Sequence, residues 1–194
     1  MGDWMTTLFW AIAGYLLGSL SSAVMVCRLF GLPDPRTLGS RNPGATNVYR
    51  IGGKVPAALT FLGDALKGFL PVAMARAASA DEITLLFAGL AAFLGHLYPL
   101  FFGFKGGKGV ATAFGVLLAW QWVLGLILLA IWIAVFLLFR ISSLSALTAA
   151  LIAPLVADLL QGPSRMTLSV TTISLLLIWR HRENIGRLLR GEER

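Results

Sequence analysis

Apolar residues in this chain gather into long runs separated by short polar segments. Runs of about 18 or more apolar residues read as membrane spans. The first run covers about Trp4 to Leu29, the second about Val55 to Ala78 and the third about Ile83 to Phe102. The stretch from Val110 to Phe139 is too long for one simple span. Trp120-Gln121-Trp122 divides it into a segment of about eleven residues and a longer one of about seventeen. At about 1.5 Å per residue the shorter segment does not cross a core about 30 Å thick. It is therefore expected in a thinned or water-filled region, and the aromatic pair fits an interfacial belt. Leu144 to Leu160 and Met166 to Trp179 complete the series. No Lys or Arg precedes the first run, so it predicts an uncleaved span rather than a secretory signal. The pattern as a whole predicts an all-α, polytopic membrane helix bundle of about seven transmembrane helices, with residues 1–194 as a single membrane domain.

Composition supports this. The chain is 57% hydrophobic and 13% charged, against about 45–50% and about 25% in soluble domains. Its net charge of +7 would suggest nucleic acid in a soluble protein. Here the basic residues flank the apolar runs, and no aromatic-basic motif accompanies them, so no nucleic-acid partner is expected. Their distribution orients the bundle instead. With seven spans, one side receives five Lys or Arg between 28 and 54, two between 103 and 109, Arg140, and five from Arg180 onward. The other side receives Arg76 and Arg165. The N-terminus is thus expected outside and the C-terminus in the cytoplasm. Cys27, the only cysteine, permits no intrachain disulfide and reads as a small buried hydrophobe.

Under this topology the unusual polar residues fall on the cytoplasmic side. The first cluster runs from Gly39-Ser40-Arg41-Asn42 through Pro43-Gly44-Ala45-Thr46-Asn47 to Arg50. Its hydroxyls, amides and arginines suit an anion, and the same residues serve equally as a turn with a helix cap. The second is Lys105-Gly106-Gly107-Lys108-Gly109, followed by Val110, Ala111 and Thr112. Its glycines let backbone N–H groups point into one concavity, and a helix beginning just after adds its positive end. It lacks the spacing of a nucleotide-binding P-loop. A basic loop at the headgroup surface is the plainer reading. In the third, Arg180-His181-Arg182-Glu183-Asn184, His181 and Asn184 share a face if the tail is helical. Asp64 and Lys67 lie three apart within the second run, where they read as a functional pair, a structural ion pair or a snorkelling lysine. His96 and His181 are the two histidines, and neither has an acid five residues later, so the His-x4-Asp box of soluble and peripheral glycerolipid acyltransferases is missing.

Together these segments resemble the bacterial acyl-phosphate:glycerol-3-phosphate acyltransferases, the PlsY family, over nearly the whole chain. The resemblance rests on Gly18-Ser19, Gly39-Ser40 with Asn42, Gly44 to Asn47 with Arg50, and Asp64 with Lys67-Gly68. It continues through Gly95-His96 with Tyr98-Pro99, Phe104 to Thr112, and His181-Arg182 with Asn184-Ile185 and Arg187-Leu188-Leu189. It implies transfer of a fatty acyl group from acyl phosphate to glycerol 3-phosphate, giving lysophosphatidic acid and phosphate, at the cytoplasmic face of a bacterial inner membrane. It implies catalytic roles for Ser40, Arg50, Lys108, His181 and Asn184. Substrate contacts are implied for Asn42, Thr46, Asn47, His96, Gly106, Gly107, Gly109, Thr112 and Ser143, and a structural role for Glu192. No cofactor or metal is implied, and membrane lipid is the remaining partner. The chain departs from the family at Ser21-Ser22, Ile141-Ser142 and Ala146, the last in place of a second serine.

The chemistry is consistent with that resemblance. Both substrates carry phosphate, and the sequence offers at least two anion sites. Acyl phosphate is a mixed anhydride with a good leaving group, so direct attack needs no protein nucleophile. That matches the lack of an evident serine triad. An anion transporter or channel is the competing class, but transport sites sit near the midplane and often between repeats. Here the clusters lie to one side and no repeat is visible. A lipid-binding scaffold is the third.

Overall fold

The computed structural model describes residues 3–193, and every regular element among them is a helix. In chain order these are α1 (Trp4–Gly18), α2 (Ser22–Leu29), α3 (Ala45–Gly52), α4 (Lys54–Ala77) and α5 (Glu82–Leu97). A 3-10 turn over Leu100–Phe102 follows, then α6 (Val110–Trp120), α7 (Trp122–Phe139), α8 (Ser142–Gln161), α9 (Arg165–Arg180) and α10 (Arg182–Leu189). Among the described residues, five segments are long and apolar enough to cross a membrane: Trp4–Leu29, Lys54–Ala77, Glu82–Phe102, Trp122–Phe139 and Ser142–Gln161. The 11 residues of α6 and the 16 of α9 fall short of that length. Gln121 alone, with extended backbone, separates α6 from α7 at the point where the aromatic pair divides the apolar stretch.

The chain forms two compact units, Met1–Trp120 and Gln121–Arg194. In the first, α1 lies along α5, and the two run the same way. Gly14 meets the Ala88 backbone, Gly18 meets Ala92, and Gly95 meets Tyr15 and Ser19. No side chain larger than hydrogen fits at these crossings, so the backbones touch, as small residues allow in membrane helices. Hydroxyls mark both ends of this contact: Thr7 and Thr84 share a 2.7 Å hydrogen bond, and the Tyr15 hydroxyl donates to the Tyr98 carbonyl at 2.8 Å. The outward face of α1, with Trp4, Met5, Phe9 and Ile12, is exposed, as a lipid-facing surface should be. The first span is broken at Ser19–Ser21, between α1 and α2.

Helix α4 packs on α5, α6 and α1. Helix α6 runs back along α5, from Gly109 beside Phe93 to Trp120, whose indole donates to the Leu85 carbonyl at 2.9 Å. Arg76, near the end of α4, donates to the Ala119 and Trp120 carbonyls at 2.9 and 3.2 Å. These are the orphan acceptors of a helix C-terminus. The loop before α6 folds back along the last turn of α5, so α6 begins about a turn short of α5's end. A recessed start lets eleven residues reach the far end of α5.

In the second unit α8 packs on α7 and α9, and α10 packs on α9. Helix α7 is apolar on every side, and of its residues only Leu124, Gly125 and Leu128 are buried, so most of its surface suits lipid. Most hydroxyls described on α8 and α9 are consumed locally. Ser145, Thr148, Ser169, Thr171 and Thr172 each donate to the carbonyl four residues earlier, at 2.8–3.0 Å. A polar group in an apolar medium is satisfied within its own helix in this way.

Candidate active site

The first polar cluster is shaped by a short helix that the sequence reading does not separate from its loop. In α3, Val48 is buried against Ala23, Cys27 and Leu32, which seats the helix on α2 and bears out the apolar role of Cys27. Asn47, beside it, is 1% exposed. Its amide donates to the Pro35 and Leu38 carbonyls at 2.8 and 3.0 Å, and its Oδ1 accepts from the Ser40 N–H at 2.9 Å. Both amide hydrogens are therefore occupied. Expected at the substrate, Asn47 instead staples residues 35–40 into shape, because a fully bonded buried amide has no donor to spare. Ser40, Thr46 and Arg50 are exposed and Asn42 is half-buried. Thr46 and Arg50, four apart on α3, share a face.

Arg36 ties this loop to the 3-10 turn that follows α5. It pairs with Asp34 at 2.6 Å, donates to the Phe102 carbonyl at 3.2 Å, and stacks over the Phe102 ring at 5.9 Å. The Arg36 hydrogen bonds hold the Asp34 carboxyl below its ordinary range, and the carboxylate raises the Arg36 guanidinium in turn. Pro43 carries the contact onward, for its carbonyl lies against Gly107. The structure thus brings the first two clusters together within one compact unit.

The glycines of the second cluster are required by packing. Gly106 lies against the His96 and Leu97 carbonyls, and a Cβ at Gly107 would collide with the His96 Nε2. Gly109 has φ +89° and faces the Phe93 ring. Its backbone conformation and its neighbour both exclude larger residues. Lys108, half-buried, sits between these fixed points, and Lys105 is exposed. The loop leads directly into α6, whose first-turn amides and positive end face the same region. Thr112, 0% exposed, lies where α6 meets Gly68 of α4. Its Oγ1 has no hydrogen-bond partner among the described residues.

Behind the loop lies a buried ionic group. Lys67 Nζ is 2.8 Å from Asp64 Oδ1 and donates to the Leu20 carbonyl at 2.6 Å. Asp64 and Lys67 therefore pair, and the lysine does not snorkel away: it satisfies a carbonyl freed by the break between α1 and α2. His96 Nδ1 is 3.7 Å from the same carboxylate oxygen. An apolar cavity of about 320 Å³ lies beside Lys67, lined by Leu17, Leu20, Met25, Leu59 and Leu66 among others.

The second unit holds the third cluster. His181 is 3% exposed and forms the junction of α9 and α10. Its Nδ1 is 2.8 Å from the Leu177 carbonyl. A carbonyl only accepts, so Nδ1 carries the proton when the ring is neutral and Nε2 keeps its lone pair. Asn184, on the same short helix, is 5% exposed. Its amide donates to Glu193 Oε1, which also accepts from the Ser143 hydroxyl at 2.7 Å. Arg187 Nε donates to Glu193 Oε2 at 2.5 Å. The structural acid is therefore Glu193, not Glu192. Glu192 is exposed and pairs with Arg190 on the surface. Burial pushes the Glu193 carboxyl up, but donation from Arg187, Ser143 and Asn184 outweighs it and leaves the pKa below its ordinary value. Two adjacent acids give sequence reasoning no means of choosing between them.

Residues 8–191 match the family model described as glycerol-3-phosphate acyltransferase. A protein of that name from Methylococcus capsulatus is 54% identical over 191 residues, covering 98% of this chain and 94% of its own length. Another, from Thiobacillus denitrificans, is 56% identical over 194 residues, covering 97% and 96%. Among solved structures, the glycerol 3-phosphate form of PlsY (YgiH), an integral membrane glycerol 3-phosphate acyltransferase, superposes with a TM-score of 0.92 at 45% identity, over 97% of this chain and 94% of that one. The lysophosphatidic acid form of the same protein gives a TM-score of 0.90 at 44% identity, with the same coverage.

Proposed function

The chain belongs to the glycerol-3-phosphate acyltransferase family, and from that premise we propose the donor, the route and the residues of its reaction. The enzyme is an integral membrane acyltransferase acting on glycerol 3-phosphate, which sets aside the transporter reading. Its donor is acyl phosphate. The glycerol hydroxyl oxygen attacks the acyl carbonyl carbon, the bond from that carbon to the phosphate oxygen breaks, and lysophosphatidic acid and inorganic phosphate leave. No covalent acyl-enzyme forms and no cofactor takes part.

The observation that carries this reading is the pairing of two anion-suited segments in one unit. Residues 40–50 present exposed Ser40, Thr46 and Arg50, and the glycine loop presents Lys108 and the start of α6. Two phosphorylated substrates need two such places. Lys108, Arg50 and backbone donors stabilise the charge that develops on the phosphate and the carbonyl oxygen, usually the largest catalytic contribution. Gly106, Gly107 and Gly109 shape the glycerol 3-phosphate loop, with Asn42, His96 and Thr112 around it. Ser143, His181 and Asn184 complete the set by family resemblance. The hydroxyl proton passes to a substrate phosphate, since a cationic site opposes a protonated His181. The apolar cavity beside Lys67 supports a place between spans for the acyl chain.

We further propose that both compact units serve one acyltransferase domain. The broken first span, α4, α5, α6, α7, α8 and α9 act as seven crossings of a bacterial inner membrane, with the C-terminus and the active site at the cytoplasmic face. The asymmetry of Lys and Arg supports that orientation. The test is lysophosphatidic acid formation by purified protein from glycerol 3-phosphate and either palmitoyl phosphate or palmitoyl-CoA, with phosphate release measured alongside for the first donor. Product from palmitoyl phosphate alone, with one phosphate released per product, is expected. Lys108→Ala should lower kcat/KM by about 100-fold or more. Lysophosphatidic acid formed from palmitoyl-CoA but not from palmitoyl phosphate would overturn the choice of donor.

A further inference from the structure

We propose that Asp64 is a positioning residue for the glycine loop, acting through His96. The inference rests on the reading of that loop as the glycerol 3-phosphate site. Asp64 lies on α4, inside a candidate span, and is 2% exposed. A carboxylate is costly there and calls for a task as well as a counter-ion. Lys67 answers the need for charge and also binds the Leu20 carbonyl. A lysine bound to that carbonyl explains the break in the first span, yet it does not explain the second neighbour of Asp64.

That neighbour is His96, on α5. Its Nδ1 stands 3.7 Å from Asp64 Oδ1, beyond hydrogen-bond length but close enough for the carboxylate to polarise the ring. Its other nitrogen, Nε2, lies against Gly107. The imidazole therefore spans the gap between a buried negative charge and the loop backbone. A carboxylate beside Nδ1 favours the neutral tautomer with the proton on Nδ1, which leaves the Nε2 lone pair facing the loop. A lone pair there attracts N–H groups and repels carbonyls. A proton on Nε2 would do the reverse. By fixing the tautomer, Asp64 selects which peptide groups turn toward His96 and which remain for the phosphate. The wrap of Gly106 around the His96 and Leu97 carbonyls makes the loop sensitive to that ring.

The proposal is tested first on the unaltered protein. The chain has two histidines, so 15N-histidine NMR gives two ring systems, and His181→Gln identifies the remaining one as His96. A proton on Nδ1 of His96 is expected. A proton resident on Nε2 overturns the proposal, even if no Asp64 variant folds. In kinetic assays, Asp64→Asn should raise the KM for glycerol 3-phosphate by about 10-fold or more. The KM for acyl phosphate and kcat should change by less than about 3-fold. Adding Asp64→Asn to His96→Gln should cost nothing further, since the two act as one. Additive losses, or a fall in kcat at constant KM, overturn it. If Lys108→Ala also leaves the glycerol 3-phosphate KM unchanged, the loop reading itself fails. If Lys108→Ala raises that KM and Asp64→Asn does not, only the positioning role fails.

Discussion

Asp64 and Glu193 are two carboxylates held by opposite means. Asp64 lies within a span, and charge is its chief compensation, supplied by a lysine one turn away, with a histidine of the facing helix beside it. Glu193 lies beyond the last helix and is compensated by donors: a hydroxyl, an amide and a guanidinium drawn from positions 143, 184 and 187. Where the surroundings resemble hydrocarbon, a carboxylate cannot stay ionised without a cation close by. Where water is near, neutral donors share the work, and one arginine completes it. The difference predicts that losing a partner is costly at Asp64 and moderate at Glu193.

The largest effect is expected from Lys67→Met, which strands the Asp64 charge and the Leu20 carbonyl together. It should lower stability by about 3–5 kcal/mol, read by thermal or denaturant unfolding in detergent micelles. The double variant Asp64→Leu/Lys67→Met removes both charges, and should return most of that loss, because a buried pair replaced by apolar residues is often neutral. It should still be impaired toward glycerol 3-phosphate, which separates the structural from the functional part of the pair. A smaller effect, about 1–3 kcal/mol, is expected for Glu193→Gln. The amide retains an acceptor for Ser143 or Asn184 but loses its charge toward Arg187. Equal losses in Lys67→Met and Glu193→Gln would erase the contrast between the two sites.

The smallest effect is a pH dependence. The Glu193 carboxyl has a lowered pKa in the folded protein. Its contribution is complete above the ordinary carboxylate range and is lost as pH falls through the folded value. The stability gap between wild type and Glu193→Gln should therefore close on acidification from about pH 6 toward about pH 3. A gap that widens over that range would contradict the donor-based account of this site.

The two carboxylates also mark how far sequence alone reaches. The apolar runs are legible because a bilayer demands length, and the helices of the structure follow them closely. Asp64 and Lys67 are legible as a pair because helical periodicity sets residues three apart on one face. Their link to Leu20 is not, since it depends on where α1 breaks and which carbonyl is freed. Glu193 is opaque for a similar reason: its serine partner lies 50 residues away, and a neighbouring glutamate offers the same chemistry. The first cluster was legible as polar and anion-suited. The division of labour within it, with Asn47 as staple and Thr46 and Arg50 as exposed groups, emerges only once α3 turns Val48 inward. The glycines at 106, 107 and 109 suggested a cradle from composition. Packing against His96, Leu97 and Phe93 supplies a second reason for each, and that reason depends on the fold.

The glycine crossings of α1 and α5 have a mechanical consequence. Two helices whose backbones touch at three levels have no soft layer of side chains between them to shear. They form a stiff plank along one side of their unit. Any breathing that admits a lipid-sized substrate must then be borne by α2, α3 and the segment joining them, which begin at the break. Hydrogen exchange should show this as slow exchange along Gly14–Gly18 and Ala88–Gly95, with opening concentrated between Ser22 and Gly52.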